Sequence, residues 1–562
     1  MKKFSISLFF FISIYTVSAQ LPDRTFLIQK IDSFVNKSFT SDKPGGAIAI
    51  VSGQNVIYQK PFGRMSMEYE LPNTSHTLFN LASVSKHFTA FCILLLEREG
   101  KLKLDDDIHN YLPNLPVYKY KVTIRQLIHH TSGIASSDNL RLFAGIAFEA
   151  PWDADDELEI ISRYHQLNYI PNNEGNYSNS GYFLLAKIIE KVSGKSFSGY
   201  ITENVFKPLG MKESFIYDKP GKVFYGKANG YKKENTAYIK MNTDGESVYG
   251  STNLYTSLND ITLWMQNLLN PKVGDKEMIS CLFKPTHTTN DGDTLYYSYG
   301  LNLKKYKGLK LANHGGYAMG FRSEIMFFPD DNLAIVTMCN NESIDNWNLA
   351  TEITDLYLNN RHIQKKSKER KEIRISEVVL KNYAGCYRMP DGRKFNFELN
   401  NDTLLFVTPG ERKYIMRAES ETEFFVQEFD AQCSFEIGSD GKCEEITWQQ
   451  NDSKPKGRRM ENVSNLSNEA LKKFAGNYFN DPLDVTYPII IKGKDLFMVI
   501  PKTFHTYFGM DREIPLDYIE KDKFYTEELG FVEFTRNSNH NINGFRIMDF
   551  GRVKNVEFRK KS

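Results

Sequence analysis

A segment that occurs twice limits the architecture more than any other feature of this chain. Residues 380–387 read "LKNYAGCY" and residues 471–478 read "LKKFAGNY", two copies of Leu-Lys-x-x-Ala-Gly-x-Tyr. Repetition at a period of about 90 residues means one supersecondary unit used twice. Each copy leads into short segments of alternating polarity, "KFNFEL" and "VTYPIII", separated by Asn, Asp and Gly clusters. Alternation broken by turn residues is the pattern of antiparallel strands. Two all-β modules are therefore expected, over 377–462 and 463–562. Ahead of them, "QKKSKERKEIR" at 364–374 is a basic run without apolar periodicity, read as part of a solvated linker over 363–376.

Residues 20–362 read differently. "GAIAIVSGQNVIYQK" has the form of a hairpin turning near Gly53, and "RSEIMFFPDDNLAIVTMC" that of two strands around "PDDN". Between them, "SKHFTAFCILLLEREG" is apolar at nearly every position from Phe88 to Leu96 and stops at Gly100, which predicts a helix buried on all sides with Cys92 as an internal free thiol. "GYFLLAKIIEKVSG" is a second, amphipathic helix. Strands at both ends with helices between them imply an α/β (α+β) domain.

The first residues, "MKKFSISLFFFISIYTVSAQ", have a basic start, an apolar stretch and small residues at Val17 and Ala19. They read as a signal peptide over 1–19, which directs the rest to the periplasm or outside the cell with no remaining membrane span. Basic and acidic residues balance, 70 against 69, which argues against nucleic acid or an anionic membrane as partner. Six cysteines in 562 residues form no disulfide framework and fit no zinc spacing. Cys433 and Cys443 flank the turn "GSDG" and can bridge adjacent strands if their side chains meet.

Three short segments can carry chemistry. Ser83 stands three residues before Lys86 at the start of the first helix, so hydroxyl and amine share a face. A serine needs a base to become a nucleophile, and a lysine serves only when its pKa is depressed. The spacing alone fits an N-cap serine equally well, and it recurs at Ser439/Lys442 and Ser453/Lys456. Tyr177 and Asn179 precede the second helix: a phenol to relay protons and an amide to hold a substrate. The same triplet spacing recurs at Tyr357/Asn359 and Tyr478/Asn480. His314, Gly315 and Gly316 lead into a strand pair, where paired glycines permit close approach and a strand N–H can polarise a carbonyl.

In this order the three segments resemble the serine β-lactamase and penicillin-binding superfamily, in the branch of class C β-lactamases, D-Ala-D-Ala carboxypeptidases, D-aminopeptidases and esterases. Ser83-Val-Ser-Lys86 corresponds to its Ser-x-x-Lys motif, Tyr177-Ser-Asn179 to Tyr-x-Asn, and His314-Gly-Gly316 to Lys-Thr-Gly or His-x-Gly. The resemblance extends to "LIHHTSGI", "FKPLGM" and "YGSTNLYTSLNDITLWMQNLL", over about residues 25–360. It implies a β-lactamase-like domain with an antiparallel sheet and a helical region, and lipocalin-like barrels for the two modules. It also implies a hydrolase needing neither metal nor organic cofactor, acting on the amide or ester carbonyl of a small molecule or peptide. Ser83 would be acylated, Lys86 and Tyr177 would move protons, and Asn179 would orient the substrate. The N–H groups of Ser83 and Tyr317 would hold the oxyanion. Where β-lactamases carry lysine this chain has His314, cationic only part of the time near neutral pH. That shifts the expectation from β-lactamase or carboxypeptidase toward esterase, amidase or aminopeptidase. The other reading is a silent binding or sensor protein for cell-wall fragments or β-lactams.

Overall fold

The computed structural model describes residues 24–561 except 243, 359–369, 390–392, 409–411, 429–430, 439–440, 442, 451–453 and 461–465. The leader expected over 1–19, the first half of the expected linker, and Asn359, Ser439, Lys442 and Ser453 lie outside the described residues.

The N-terminal region is built on a seven-stranded antiparallel sheet. Its strands are β1 (Gly46–Ser52), β2 (Asn55–Phe62), β3 (Tyr297–Ser298), β4 (Leu301–Tyr306), β5 (Leu309–Ala318), β6 (Phe321–Phe328) and β7 (Leu333–Cys339), ordered β3-β4-β5-β6-β7-β1-β2. The two predicted hairpins lie side by side, with Gly46 opposite Cys339 and Ser52 opposite Leu333. Both faces are covered, which is why β1 and β7 read as continuous apolar runs. On one face, helices α1 (Arg24–Ser38) and α6 (Asn346–Leu358) pack Ile31, Val35, Leu349 and Ile353 onto Ile48, Ile50 and Ile335. On the other, Ala47 and Ala49 leave room for the helical region. That region holds α2 (Ser85–Arg98), α3 (Ser137–Ala144), α4 (Asn179–Ser193) and α5 (Leu258–Leu269). Helix α2 runs through the middle of this core, with Cys92 buried and free, and ends at Arg98, two residues before the left-handed Gly100.

Each repeat opens a closed eight-stranded barrel. The first runs from Gly385–Arg388 to Lys456–Arg459, and the second from Gly476–Asn480 to Val553–Lys560. Closure removes the free edges that short strands would otherwise present. The repeated residues do the same work in both copies. A short helix, Glu377–Tyr383 or Asn468–Phe474, buries Leu380 and Tyr383 or Leu471 and Phe474 against the barrel. The repeat glycines have φ 152° and 146°, unfavourable for any side chain. The last tyrosine then donates back to the chain, Tyr387 to the Tyr383 carbonyl at 3.0 Å and Tyr478 to that of Phe474 at 2.6 Å. Cys433 and Cys443 are both free: Cys433 lies opposite Trp448 and Cys443 opposite Ile437, so the bridge considered from sequence is not formed.

The first barrel keeps a core of its own, rich in aromatic rings. The interior of the second is continuous with the helical region. There Phe143 of α3 meets Phe504 and Phe550 of the barrel at ring distances of 5.4 and 5.7 Å.

Candidate active site

Ser83 occupies a tight turn, Ala82–Val84, that precedes α2, and is not part of that helix as the sequence suggests. Ala82 is held at φ 47°, a left-handed conformation costly for alanine. The surroundings hold it there: Ala82 N–H donates to Asn80 Oδ1 at 2.8 Å, Leu81 N–H to the Leu254 carbonyl at 2.8 Å, and Asn80 Nδ2 to Asn253 Oδ1 at 2.7 Å. The turn thrusts the Ser83 hydroxyl out of the core into a cleft.

Lys86, one residue into α2, is fully buried beneath it. Its Nζ lies 3.1 Å from Ser83 Oγ and donates to the Ser251 carbonyl at 2.7 Å. It also sits 4.9 Å from the ring centre of Tyr177 and 5.8 Å from that of Tyr182. Among the described residues no carboxylate comes within ion-pair distance of it. Burial, and then the positive charge of Arg552, hold the amine well below the ordinary lysine range, while Asp138 pulls weakly the other way. A neutral amine can donate one N–H to Ser251 and still offer its lone pair to the serine proton.

Tyr177 comes just before Ser178, the N-cap of α4. Its ring lies against His130, 4.3 Å between centroids. Burial pushes its phenol above the usual range, opposed by a hydrogen bond with Ser83 and by Arg552, so the hydroxyl keeps its proton at neutral pH. Asn179 is the first residue of α4; its Nδ2 donates to Asp138 Oδ2, and its Oδ1 has no partner among the described residues. One of its two Nδ2 N–H bonds is thus engaged by Asp138, and Oδ1 is a buried acceptor.

The third segment lies on β5. His314 Nδ1 donates to the Gly315 carbonyl at 2.6 Å, and Nε2 accepts from Tyr297 Oη at 3.1 Å. Burial and the nearby Lys86 push its pKa down to about 3. His314 is therefore an uncharged ring with both nitrogens engaged, and the part-time cation expected from its ordinary pKa is absent. Gly316 lies directly against the serine turn: a Cβ there would stand 2.3 Å from the Leu81 carbonyl oxygen and 3.1 Å from Ala82 Cβ. That closeness brings the Tyr317 backbone alongside Ser83, while the Tyr317 side chain is half exposed and stacks on Arg322.

All eight residues singled out from sequence, Ser83, Lys86, Tyr177, Asn179, His314, Gly315, Gly316 and Tyr317, converge on one cleft. It opens as two lobes, about 340 Å³ and about 740 Å³, that share Ser83, Asp138, Asn179, Tyr317 and Glu342. The smaller lobe contains Glu157, held by Ser137 and by Trp152 Nε1 at 2.8 Å; burial raises its carboxyl to about 7. Sequence reasoning missed Ser251, Asp138, His130 and Arg552. Ser251 and His130 fall within the segments "YGSTNLYT" and "LIHHTSGI" that carry the resemblance, whereas nothing in the sequence ties Asp138 or Arg552 to Ser83. Among the described residues no cluster of His, Cys, Asp and Glu could hold a metal ion.

A serine served by a buried lysine at the foot of an antiparallel sheet defines the serine hydrolase superfamily that includes the penicillin-binding proteins. Residues 29–353 match the family model described as Beta-lactamase, and the chain belongs to that family. Residues 369–464, around the first barrel, match a domain of unknown function, DUF3471. Penicillin-binding protein 4* of Bacillus subtilis (strain 168) is 29% identical over 423 residues, 70% of this chain and 90% of that protein. The D-aminopeptidase of Brucella anthropi is 27% identical over 300 residues, 53% of this chain, and the match spans only 56% of that enzyme. Among solved structures, the octameric penicillin-binding protein homologue from Pyrococcus abyssi superposes with a TM-score of 0.54 at 22% identity, covering 77% of this chain and 100% of its own. That is a likeness of fold.

Proposed function

We propose that this protein is a secreted or periplasmic hydrolase that cleaves an amide or ester through an acyl-enzyme on Ser83. The observation that carries the reading is Lys86, buried with no carboxylate partner among the described residues and 3.1 Å from Ser83 Oγ. Its neutral amine takes the serine proton as Oγ attacks the carbonyl carbon. The N–H groups of Ser83 and Tyr317 receive the developing oxyanion. Tyr177 hands its proton to the leaving group as the carbonyl–leaving-group bond breaks, and the ammonium of Lys86 replaces it. In deacylation water gives up its proton by the same route, attacks the acyl carbon, and Ser83 departs with the proton returned. The Asn179 amide orients the substrate, and the His314 to Gly316 strand flanks the bound chain. The D-aminopeptidase relative favours an amide of a small amino acid or short peptide. The basic-apolar leader over 1–19 supports export, and among the described residues no helix is long and apolar enough to cross a membrane.

A fluorophosphonate probe should label the wild type at Ser83 and leave Ser83→Ala unlabelled, with p-nitrophenyl ester turnover lost in step. No label, or label elsewhere, would sink the reading. Slow acylation by a labelled penicillin with no hydrolysis of ester or amide would make the chain a binding or sensing protein instead.

A further inference from the structure

Tyr177 stands in a socket made largely by one residue, His130. The Asn176 N–H donates to the His130 carbonyl at 2.8 Å and the Ser178 N–H to its ring Nδ1 at 3.1 Å, so the chain is held on both sides of the tyrosine. Tyr169 Oη donates to the same carbonyl at 3.0 Å. The imidazole also lies against the Tyr177 ring itself, 4.3 Å between centroids. Tyr297 of β3 and Tyr182 of α4 close around it, at 4.5 and 5.2 Å. His130 lines neither lobe of the cleft, so any influence it has on a substrate must pass through another group.

Two costs fall on this residue. Its φ is 59°, a left-handed conformation that a residue with a side chain seldom adopts. Because Nδ1 accepts from a backbone N–H, the neutral ring carries its proton on Nε2, and that donor is buried with no partner among the described residues. Burial, and then Lys86, His314, Arg552 and His129, hold the ring well below the ordinary histidine range, so it stays uncharged. The other three buried histidines among the described residues carry their proton on the opposite nitrogen. His129 and His314 donate from Nδ1 to backbone carbonyls, and His87 accepts from Trp264 at Nε2. We propose that His130 is a positioning residue for the reaction, a neutral imidazole in the Nε2–H form that keeps the Tyr177 hydroxyl in reach of Ser83 and Lys86. A protonated ring could not serve, since Nδ1 would lose its lone pair and release Ser178. This rests on the Ser83 acyl-enzyme reading and gives "LIHHTSGI" a task in it.

The test is His130→Asn, made in the wild type and in Tyr177→Phe. Asparagine tolerates a left-handed backbone and its Oδ1 can stand in for Nδ1, so the ring is lost while the anchor to Ser178 is kept. In the wild type it should lower kcat for a p-nitrophenyl ester, and the rate of fluorophosphonate labelling at Ser83, about 10- to 100-fold, as a shift of reacting groups by ~1 Å does. KM should hardly move. In Tyr177→Phe the same substitution should cost less than about 2-fold, because two changes acting through one hydroxyl do not add. Equal losses in the two backgrounds, wild-type labelling in His130→Asn, or a loss confined to KM would overturn the assignment. A second measurement needs no variant: ¹⁵N-histidine NMR of the wild type should show one buried neutral imidazole protonated on Nε2. Its absence would overturn the assignment as well. A wild type that is not labelled at Ser83 would overturn the acyl-enzyme reading instead, so the two failures are separable.

Discussion

One methyl group at Gly316 tests whether strand β5 is pinned against the nucleophile turn. A Cβ at that position would lie 2.2 Å from Ser323 Oγ and 2.3 Å from the Leu81 carbonyl oxygen. Non-bonded heavy atoms prefer roughly 3.5 Å, so about 1 Å of clearance is missing on two sides. The Ser323 hydroxyl can turn away only by giving up its 2.7 Å bond to that same carbonyl. Leu81 cannot retreat alone, because its N–H is bonded to Leu254 and the next N–H to Asn80. Either β5 or the serine turn must therefore move by about 1 Å. Overpacking of this kind costs about 1–3 kcal/mol. A displacement of reacting groups by ~1 Å costs on the order of 100-fold in rate. Gly316→Ala should lower kcat/KM for a p-nitrophenyl ester about 100-fold while the thermal melt falls by only about 5 °C. Gly175→Ala is the control: its nearest neighbour would be Leu295 Cδ2 at 3.5 Å, an ordinary contact, and it should behave as wild type. Wild-type turnover in Gly316→Ala would refute the claim that this strand sets the geometry of Ser83.

Two further perturbations follow from the buried ionisable groups. Lys86→Met fills the same space without an amine to desolvate, so the melt should hardly change while turnover falls about 10²- to 10⁴-fold, the worth of a general base. The acid limb of the wild-type pH–rate profile, placed below the ordinary lysine range by burial and Arg552 against the pull of Asp138, should vanish from the residual rate; its persistence would give the limb to another group. Glu157 has its carboxyl raised from 4.5 to about 7, so its folded form holds the proton more tightly. Its stabilising share is complete below pH 4.5 and lost as pH rises through about 7. The melting temperature of wild type minus that of Glu157→Gln should accordingly fall between pH 5 and pH 9, and a flat difference would show that the carboxyl titrates normally.

What could be read from sequence divides along physical lines. The barrels were legible because Tyr387 and Tyr478 each bond a carbonyl four residues back, an interaction contained within the repeat itself. Helix α2 was legible because a run of apolar residues needs no partner to declare itself. The placement of Ser83 on that helix was not, because the turn at Ala82 is imposed by Asn80, Asn253 and Leu254, the last two remote in sequence. The charge of His314 was misjudged for a related reason: the ordinary pKa of an imidazole is a solution property, and burial beside Lys86 exists only in the folded chain. Ser251 escaped notice because it serves Lys86 through its backbone carbonyl, which every residue possesses.

The docking of the second barrel bears on the catalytic groups through α3. Tyr487 Oη donates to the Phe143 carbonyl at 3.1 Å and Thr503 Oγ1 to that of Leu142 at 2.9 Å, both on the last turns of this helix. Its first turn carries Asp138, whose Oδ2 accepts from Asn179 and from Arg552. The barrel therefore grips the helix that holds the substrate-facing amide and meets that helix again through the guanidinium. Asp138 Oδ2 accepts from both, so the barrel and the Asn179 amide meet on one carboxylate oxygen. A barrel that merely shielded the cleft would have no such route to Asn179.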